Sequence, residues 1–317
     1  MSNAADPPTA HHDVLVPDRV ALSPANEVSK RPSPFQRIKH LWQYRELVAN
    51  LTRKQLKVQY KNSVLGFLWS LLNPLMYLVV FSLVFSIISK TSVPYYGIFF
   101  LSGLLAWNLF STGLGEGTSA VVQNAQLVTK VWFPRESLVI ASVLAGLVHF
   151  FLQSVVLIAA LIVFQRMPDL AYIPIFLLAL VVVLLLCTSL AIGLSAINVY
   201  LRDTQHLLEV VLLAWFWMSA IAYPYGQIVK ELGANREWIT SFNPVIICVV
   251  SFQRVLYNPS PPTKADLANP DYTAVLPPHP AGWYFEHLAL AGLVGIVLLY
   301  VSLMIFSRLE DDFAEQI

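Results

Sequence analysis

The segment YKNSVLGFLWSLLNPLMYLVVF, residues 60–81, starts with polar residues and then becomes almost entirely apolar. Asn73-Pro74 interrupts the apolar stretch near its beginning. A proline inside a helix removes one backbone hydrogen bond, and in lipid the freed carbonyl must find another partner. The meaning of this interruption therefore depends on the solvent around the segment, and composition decides that solvent.

The composition of the chain is that of a membrane protein. Of its 317 residues, 56% are hydrophobic and 12% are charged, and the mean hydropathy is +0.62. Soluble domains carry roughly 25% charged residues. The apolar blocks reach the length of about 20 residues that a helix needs to cross ~30 Å of hydrocarbon. The sequence predicts an all-α membrane protein, and its net charge of +1 gives no indication of nucleic-acid binding.

Six apolar segments are predicted to span the membrane. They lie at about 66–88, 97–121, 138–164, 172–197, 207–225 and 283–306, within a transmembrane domain of residues 63–310. The loop between the fifth and sixth segments contains NPVIICVVSFQRVLY, residues 243–257, which is too short to span and is broken by Arg254. We expect this stretch to form a re-entrant gate segment at the outer face.

The regions flanking the spans are polar. Residues 1–33 are rich in proline and predict a disordered cytoplasmic tail, and residues 311–317 predict a cytoplasmic C-terminus. Residues 34–62 alternate apolar and basic residues at helical spacing, which indicates an amphipathic helix on the membrane surface. With the N-terminus inside, the inner segments hold 14 Lys and Arg and the outer segments hold six. This asymmetry places both termini in the cytoplasm.

Motifs for energy use or metal chemistry are missing from the sequence. It contains no GxxxxGK[ST] phosphate loop, no GxGxxG and no HExxH. It also lacks a pair of broken helices in inverted repeats, which marks many secondary transporters. We therefore expect no catalytic residues, no metal site and no cofactor in this chain, with energy supplied by another protein.

Three motifs resemble the ABC-2 type permeases that export lipid-linked polysaccharides, the Wzm, TagG and KpsM group. The first helix of that family reads Y-K-x-S-x-L-G-x-L-W followed by L-x-N-P, and the matching residues here are Tyr60, Lys61, Ser63, Leu65, Gly66, Trp69, Asn73, Pro74 and Phe85. NAQLVTKVWFPRE, residues 124–136, resembles the stretch after the second helix. NVYLRDTQHLLEV, residues 198–210, resembles the stretch before the fifth. The three motifs occur in the family's order, and the likeness covers about residues 35–310.

The resemblance implies a half-transporter in the cytoplasmic membrane of a bacterium. Two copies of the chain would form the pore, and two copies of a separate ATPase would bind ATP and Mg below it. The substrate would be a cell-envelope polysaccharide of O-antigen, teichoic acid or galactan type, linked to polyprenyl pyrophosphate. The motifs assign ATPase coupling to the two inner loops, at Lys130, Phe133, Pro134, Arg135, Glu136, Arg202 and Asp203.

Aromatic residues predict the substrate path. On the first predicted span they accompany Asn73-Pro74, and further aromatics lie near the outer end of the fifth. The candidate path residues are Trp69, Asn73, Pro74, Tyr77, Phe81, Phe85, Trp215 and Tyr223. The alternative for the first span is a kinked helix whose aromatic rings simply pack against its neighbours, and for the fifth it is an interfacial aromatic belt.

Basic residues before the first span predict a cytoplasmic pyrophosphate-binding site. Arg53, Lys54, Lys57 and Lys61 lie nearest to that span. Hydrogen bonds from Arg or Lys to phosphate are roughly twice as strong as those between neutral groups. The alternative is general attraction to anionic lipid, worth about 1 kcal/mol per charge.

Three polar residues inside predicted spans have two interpretations each. Glu116 is either a functional intramembrane charge or the solvated end of a helix. His149 and Gln153 lie one helical turn apart and form either a proton relay or hydrogen bonds to neighbouring helices, and the second interpretation is favoured.

Three other functions compete with polysaccharide export. An ABC-2 permease for a drug or a simple lipid would not depend on a sugar. A membrane glycosyltransferase would need acidic residues at a membrane face, where the sequence offers only the close cluster Glu310-Asp311-Asp312. A proton-driven flippase is disfavoured because few ionisable groups lie inside the spans.

Overall fold

A computed structural model describes residues 42–61, 63–85, 93–259 and 274–316. All regular elements in these ranges are helical. The α-helices are α1 Arg45–Gln59, α2 Trp69–Leu83, α3 Tyr96–Gln123, α4 Ala125–Lys130, α5 Glu136–Val163, α6 Ile173–Tyr200, α7 Asp203–Trp217, α8 Tyr225–Leu232, α9 Pro244–Leu256, α10 Ala281–Leu309 and α11 Phe313–Gln316. Short 3-10 helices cover Gly66–Leu68, Leu170–Tyr172, Ala234–Phe242 and Glu310–Asp312. The predicted disordered tail lies outside the described residues.

Five helical segments are long and apolar enough to cross a membrane. Four contain α3, α5, α6 and α10, which have 28 or 29 residues each. At 1.5 Å per residue each is about 42 Å long, more than the ~30 Å hydrocarbon core requires. The fifth is Gly66–Leu83, with 18 residues. These segments agree with five of the six predicted spans, although residues 86–88 of the first lie outside the described ranges.

The predicted span at 207–225 is not a single helix. The structure ends α7 at Trp217, and this helix of 15 residues is about 22 Å long. Ala220 then adopts a left-handed backbone conformation, with φ of 53°. The Asn243 amide donates to the Met218 carbonyl at 3.0 Å, which gives that group a partner beyond the end of the helix.

The segment at 243–257 is helical, buried and bent relative to the residues before it. The helical residues 235–242 and α9 meet at 102°. Asn243 caps α9 by accepting a hydrogen bond from the Val245 amide at 3.1 Å, and Pro244 occupies the first turn, where its missing N–H costs nothing. Cys248, Val249 and Phe252 are fully buried, since α9 packs among α3, α6 and α10. This geometry agrees with the prediction that the segment is not a straight span, and its role as a gate stays a prediction.

The core is built around α3, which packs against α2, α5, α6, α7 and α9. Small residues let its neighbours approach closely, as is usual where helices pack in membranes. A Cβ at Gly117 would lie 2.8 Å from Cβ of Ala191 on α6. On the other side, a Cβ at Gly146 of α5 would lie 3.5 Å from Cα of Gly113.

The N-terminal amphipathic helix packs on protein along one side. Val48 and Thr52 of α1 are buried against α5, and the Thr52 hydroxyl donates to the Ala141 carbonyl at 3.2 Å. The sequence predicts an amphipathic helix on the membrane surface within residues 34–62, and this location stays a prediction; residues 34–41 lie outside the described ranges. Polar side chains on one face of α1 also hydrogen-bond to α5.

Candidate functional site

The predicted pyrophosphate-binding cations lie on or just after the exposed side of α1. Arg53, Lys54, Lys57 and Lys61 are all exposed. The opposite side of α1 is fixed to α5 by two glutamines. Ser142 donates to Gln55 at 3.0 Å, and Gln59 lies 2.8 Å from Nε2 of His149. The protein therefore holds these cations on a positioned helix.

Lys54 differs from the other three cations in its surroundings. Its Nζ donates to Oδ1 of Asn124 at 3.2 Å, at the junction of α3 and α4. Two adjoining cavities of about 420 and 330 Å³ share Lys54, Gln123 and Asn124 in their walls. The smaller one is also lined by Lys130, to which the second motif assigns ATPase coupling. The structure thus brings one residue from each predicted inner site to the same cavity.

The path residues predicted on the first span, from Trp69 to Phe85 and called the stripe below, lie in two environments. Trp69, Asn73 and Tyr77 are exposed, whereas Pro74 is buried against the protein. Phe81 stacks on Phe100 of α3 with ring centroids 3.9 Å apart, and Phe85 stacks on Tyr96 at 4.0 Å. These last two aromatic rings support the packing alternative. Within the stripe, only Trp69, Asn73 and Tyr77 are exposed on the surface of the chain.

The other two predicted path residues are Trp215, on α7, and Tyr223, which follows α7. Nε1 of Trp215 donates to Oδ1 of Asn243 at 2.8 Å, and its ring meets Phe110 edge to face at 5.1 Å. The Tyr223 hydroxyl donates to the Trp217 carbonyl. Both residues line an open, largely apolar cavity of about 600 Å³ between α7 and the bent segment. They are therefore close together, but far along the chain from the stripe on α2.

The first inner loop contains exposed and buried residues side by side. Lys130 is exposed, and so is Trp132, which has 86% of its surface accessible. Phe133 is buried, and Glu136 is only 2% exposed at the start of α5, where a negative charge suits the helix N-terminus. Pro134 is half-buried between these residues. The buried residues form part of the protein interior, so only the exposed ones are accessible to another subunit in this conformation.

Arg135 connects the first inner loop to the C-terminal segment. Its guanidinium donates to the Glu310 carbonyl and lies 5.5 Å from the centroid of the Phe313 ring. The second inner loop reaches the same place, since the Tyr200 hydroxyl donates to the Leu309 carbonyl at 2.9 Å. The sequence motifs do not single out Tyr200. The only indication of Tyr200 in the sequence is that its hydroxyl ends a long apolar segment.

Arg202 and Asp203 are both exposed at the second inner loop. Asp203 is the first residue of α7, where its carboxylate complements the positive end of the helix dipole. Together with Lys130 and Trp132, and with the apolar Val131 and Leu201, these residues contribute to the accessible surface of the two inner loops. Trp132 stands inside the second motif but is not one of its matched positions.

The polar residues inside the spans bind to different helices. His149 has Nε2 2.8 Å from Oε1 of Gln59 on α1, whereas Gln153 accepts from the Asn108 amide of α3 at 3.0 Å. The interhelical hydrogen bonds favoured over a proton relay are therefore confirmed. Glu116 is exposed and accepts from the Gln55 amide at 3.4 Å, as expected for a solvated helix end. In the described ranges, no group of three or more His, Cys, Asp or Glu could hold a metal ion.

Comparison with known proteins identifies the family. The ABC-2 type transporter family matches residues 46–257. The chain is 31% identical over 280 residues to the O-antigen export system permease protein RfbA of Myxococcus xanthus, covering 88% of this chain and 98% of that protein. A Klebsiella pneumoniae protein of the same name is 27% identical over 273 residues, which are 85% of this chain and 94% of that protein. The Escherichia coli polysialic acid transport protein KpsM is 23% identical over 204 residues, covering 63% and 76%. This multi-pass membrane protein belongs to the ABC-2 type transporter family.

Proposed function

We propose that the chain is the membrane subunit of an ATP-driven exporter for a lipid-linked cell-envelope polysaccharide. The observation that carries the proposal is the match to an O-antigen export permease over 98% of that protein's length. The three motifs at Tyr60–Phe85, 124–136 and 198–210 support the same function. A separate subunit would hydrolyse ATP, because the sequence contains no phosphate-binding loop.

Two copies of the chain would enclose the substrate path. Asn73 is exposed on α2 beside Trp69 and Tyr77. An amide facing lipid without a partner costs free energy, so this face suits a second protein surface or a polar path. Exposed apolar side chains on α7, including Leu213 and Trp217, suit the same arrangement. Trp69, Asn73 and Tyr77 would then line the inner part of the path.

The ATPase would bind at the two inner loops. The positive-inside rule assigns this end to the cytoplasm, with both termini on the same side of the cytoplasmic membrane of a bacterium. Lys130, Trp132, Arg202 and Asp203 are accessible there. Arg135 would act indirectly, by holding the loop against the C-terminal segment, and Glu136 would act from its buried position at the start of α5. This division refines the coupling role assigned to all the motif residues together.

The outer gate would be formed by the bent segment after α7. The 102° bend between residues 235–242 and α9 fits either a broken span or a re-entrant loop, and the proposed gate corresponds to the re-entrant loop. Trp215 ties α7 to the corner of that segment through Asn243, so motion of α7 would reach the corner directly. We propose that this connection transmits a closing motion of the ATPase, at the two inner loops, to the outer face.

The experiment that tests the function is depletion of the chain in its host. We expect a polyprenyl-pyrophosphate-linked glycan to accumulate on the cytoplasmic side, which protection from an external glycosidase and mass spectrometry would detect. Accumulation of a drug or a simple lipid, with normal surface glycan, would favour the other ABC-2 functions. Loss of glycan synthesis itself would favour a glycosyltransferase.

A further inference from the structure

We propose that Lys54 of α1 and Lys130 of α4 together bind the phosphate groups of the exported lipid-linked substrate. The inference rests on the proposed function for the identity of that substrate. It replaces the four predicted cations by a pair from two different elements. The pair is defined by one cavity, of about 330 Å³, which both lysines line.

The walls of this cavity favour an anion. Besides the two ammonium groups they contain the side-chain amides of Gln123, Asn124 and Gln126, and no carboxylate. A carboxylate, Glu116, lies in the adjoining cavity of about 420 Å³. It precedes Gln123 by seven residues, which is about 10 Å along α3. The two positive charges therefore share a cavity whose own wall holds no carboxylate, while Lys54 also lines the adjoining cavity that contains Glu116. The C-terminal helix α11, which contains Glu315, packs against α4.

The Lys54 side chain is held in place by one hydrogen bond and has donors left for a ligand. An ammonium group has three donors. One of them goes to Oδ1 of Asn124 at 3.2 Å. The Asn124 amide is itself fixed, because its Nδ2 donates to the Ala120 carbonyl at 2.9 Å. Two donors of Lys54 are left for a ligand, on a side chain whose direction is already set.

Lys130 supplies the second charge. It is exposed, and it has no hydrogen-bond or ion-pair partner among the residues that the structure describes. A pyrophosphate carries charge on both phosphates, so two ammonium groups on opposite elements match it better than one. Charge-assisted hydrogen bonds of this kind are roughly twice as strong as neutral ones.

The other three cations do not line either cavity. Arg53 and Lys57 are exposed elsewhere on α1, and Lys61 follows its end. Arg53 and Lys57 provide a matched comparison for Lys54, because they carry the same charge on the same helix. Binding at Lys130 would also constrain the end of α4. The exposed Trp132 of the first inner loop follows two residues later.

Lysine acetylation of the wild-type chain tests this site without any substitution. The permease is purified with its ATPase in nanodiscs and labelled with and without farnesyl pyrophosphate, and mass spectrometry measures the rate at each lysine. With the probe at about ten times its Kd, we expect roughly tenfold slower labelling of Lys54 and Lys130. Lys57 and Lys61 should change little.

Three probes identify the part of the ligand that binds. Farnesyl pyrophosphate and inorganic pyrophosphate both protecting the pair would assign binding to the phosphates alone. Protection by farnesyl pyrophosphate only would show that the lipid contributes as well. Farnesol should protect neither lysine. Equal protection of Lys57 and Lys61, no protection of the pair, or protection of Lys130 by the ATPase alone would overturn the proposal.

A pair of double variants supplies an independent test. K54Q/K130Q and R53Q/K57Q each remove two positive charges. We expect the first to weaken farnesyl pyrophosphate binding by at least about tenfold, and the second by less than about threefold. Equal weakening would instead indicate general attraction to charge. If the pair fails these tests while depletion still accumulates a lipid-linked glycan, the proposed function stands and only this site is wrong.

Discussion

Replacing Asn243 with alanine should loosen the corner between α7 and α9. The side chain makes four hydrogen bonds. It accepts from the Val245 amide at 3.1 Å and from the Trp215 indole at 2.8 Å, and it donates to the Met218 carbonyl at 3.0 Å and the Ser219 hydroxyl at 3.2 Å. Asn243 is the N-cap of α9 and has an extended backbone, which alanine can adopt, but alanine cannot replace any of these bonds.

The expected cost follows from these contacts. An N-cap asparagine contributes about 1 kcal/mol relative to alanine. Hydrogen bonds between helices in membrane proteins contribute about 0.6 kcal/mol each on average. The four bonds of Asn243 should therefore be worth about 2–3 kcal/mol, less if their effects overlap. Since 1.4 kcal/mol is a factor of ten, local opening should become about 30- to 150-fold more frequent.

Amide hydrogen exchange in nanodiscs measures this opening. Peptides covering the end of α7 and the first turn of α9 should exchange faster in Asn243→Ala, whereas peptides from α5 should not change. Asn243→Asp retains the two acceptor contacts and should be intermediate. Ser241→Ala is the matched control, since this exposed neighbour should cost less than about 0.5 kcal/mol. Equal exchange in Asn243→Ala and Ser241→Ala would refute the reasoning.

Three further predictions concern packing, coupling and assembly. Gly117→Ala places a Cβ 2.8 Å from that of Ala191 and should destabilise the detergent-solubilised chain by about 1–3 kcal/mol, whereas Gly115→Ala meets nothing within 4 Å and should be neutral or stabilising in a thermal unfolding assay. Substituting alanine for both Arg202 and Asp203 should leave insertion unchanged but abolish substrate stimulation of the partner ATPase, measured as phosphate release. The isolated chain should hydrolyse no ATP, and with its partner it should elute as two permeases and two ATPases.

Each of these predictions has a contrary outcome. Equal melting temperatures for the two glycine variants would mean that α3 and α6 are less closely packed than the structure indicates. Unchanged export and unchanged stimulation in the Arg202 and Asp203 double variant would make that loop a solvated connection. Robust ATP hydrolysis by the purified chain alone would contradict the half-transporter.

The long spans could be predicted because hydropathy depends on local sequence. The end of α7 could not. Residues after Trp217 remain apolar, so hydropathy continues to indicate a membrane segment as far as Tyr225. The helix ends where the Met218 carbonyl finds the Asn243 amide, 25 residues later in the chain. A hydrogen bond over that separation leaves no periodic signal in the sequence.

The candidate sites were only partly predictable for a related reason. Spacing put Phe81 and Phe85 on the same stripe as Trp69, but it could not reveal that Phe100 and Tyr96 cover them. The density of Lys and Arg residues before the first span predicts a phosphate-binding site near Lys54. Its proximity to Lys130 depends on how α1 lies across α5, and neither sequence segment contains that information.

The contacts of the two inner loops with the end of α10 also constrain the biogenesis of the protein. Arg135 binds the Glu310 carbonyl, and Tyr200 binds the Leu309 carbonyl. The ribosome makes both loops long before residues 309 and 310 leave the exit tunnel. Until then, neither loop has its final support. The local structure of both loops is therefore completed only after α10 has been synthesised.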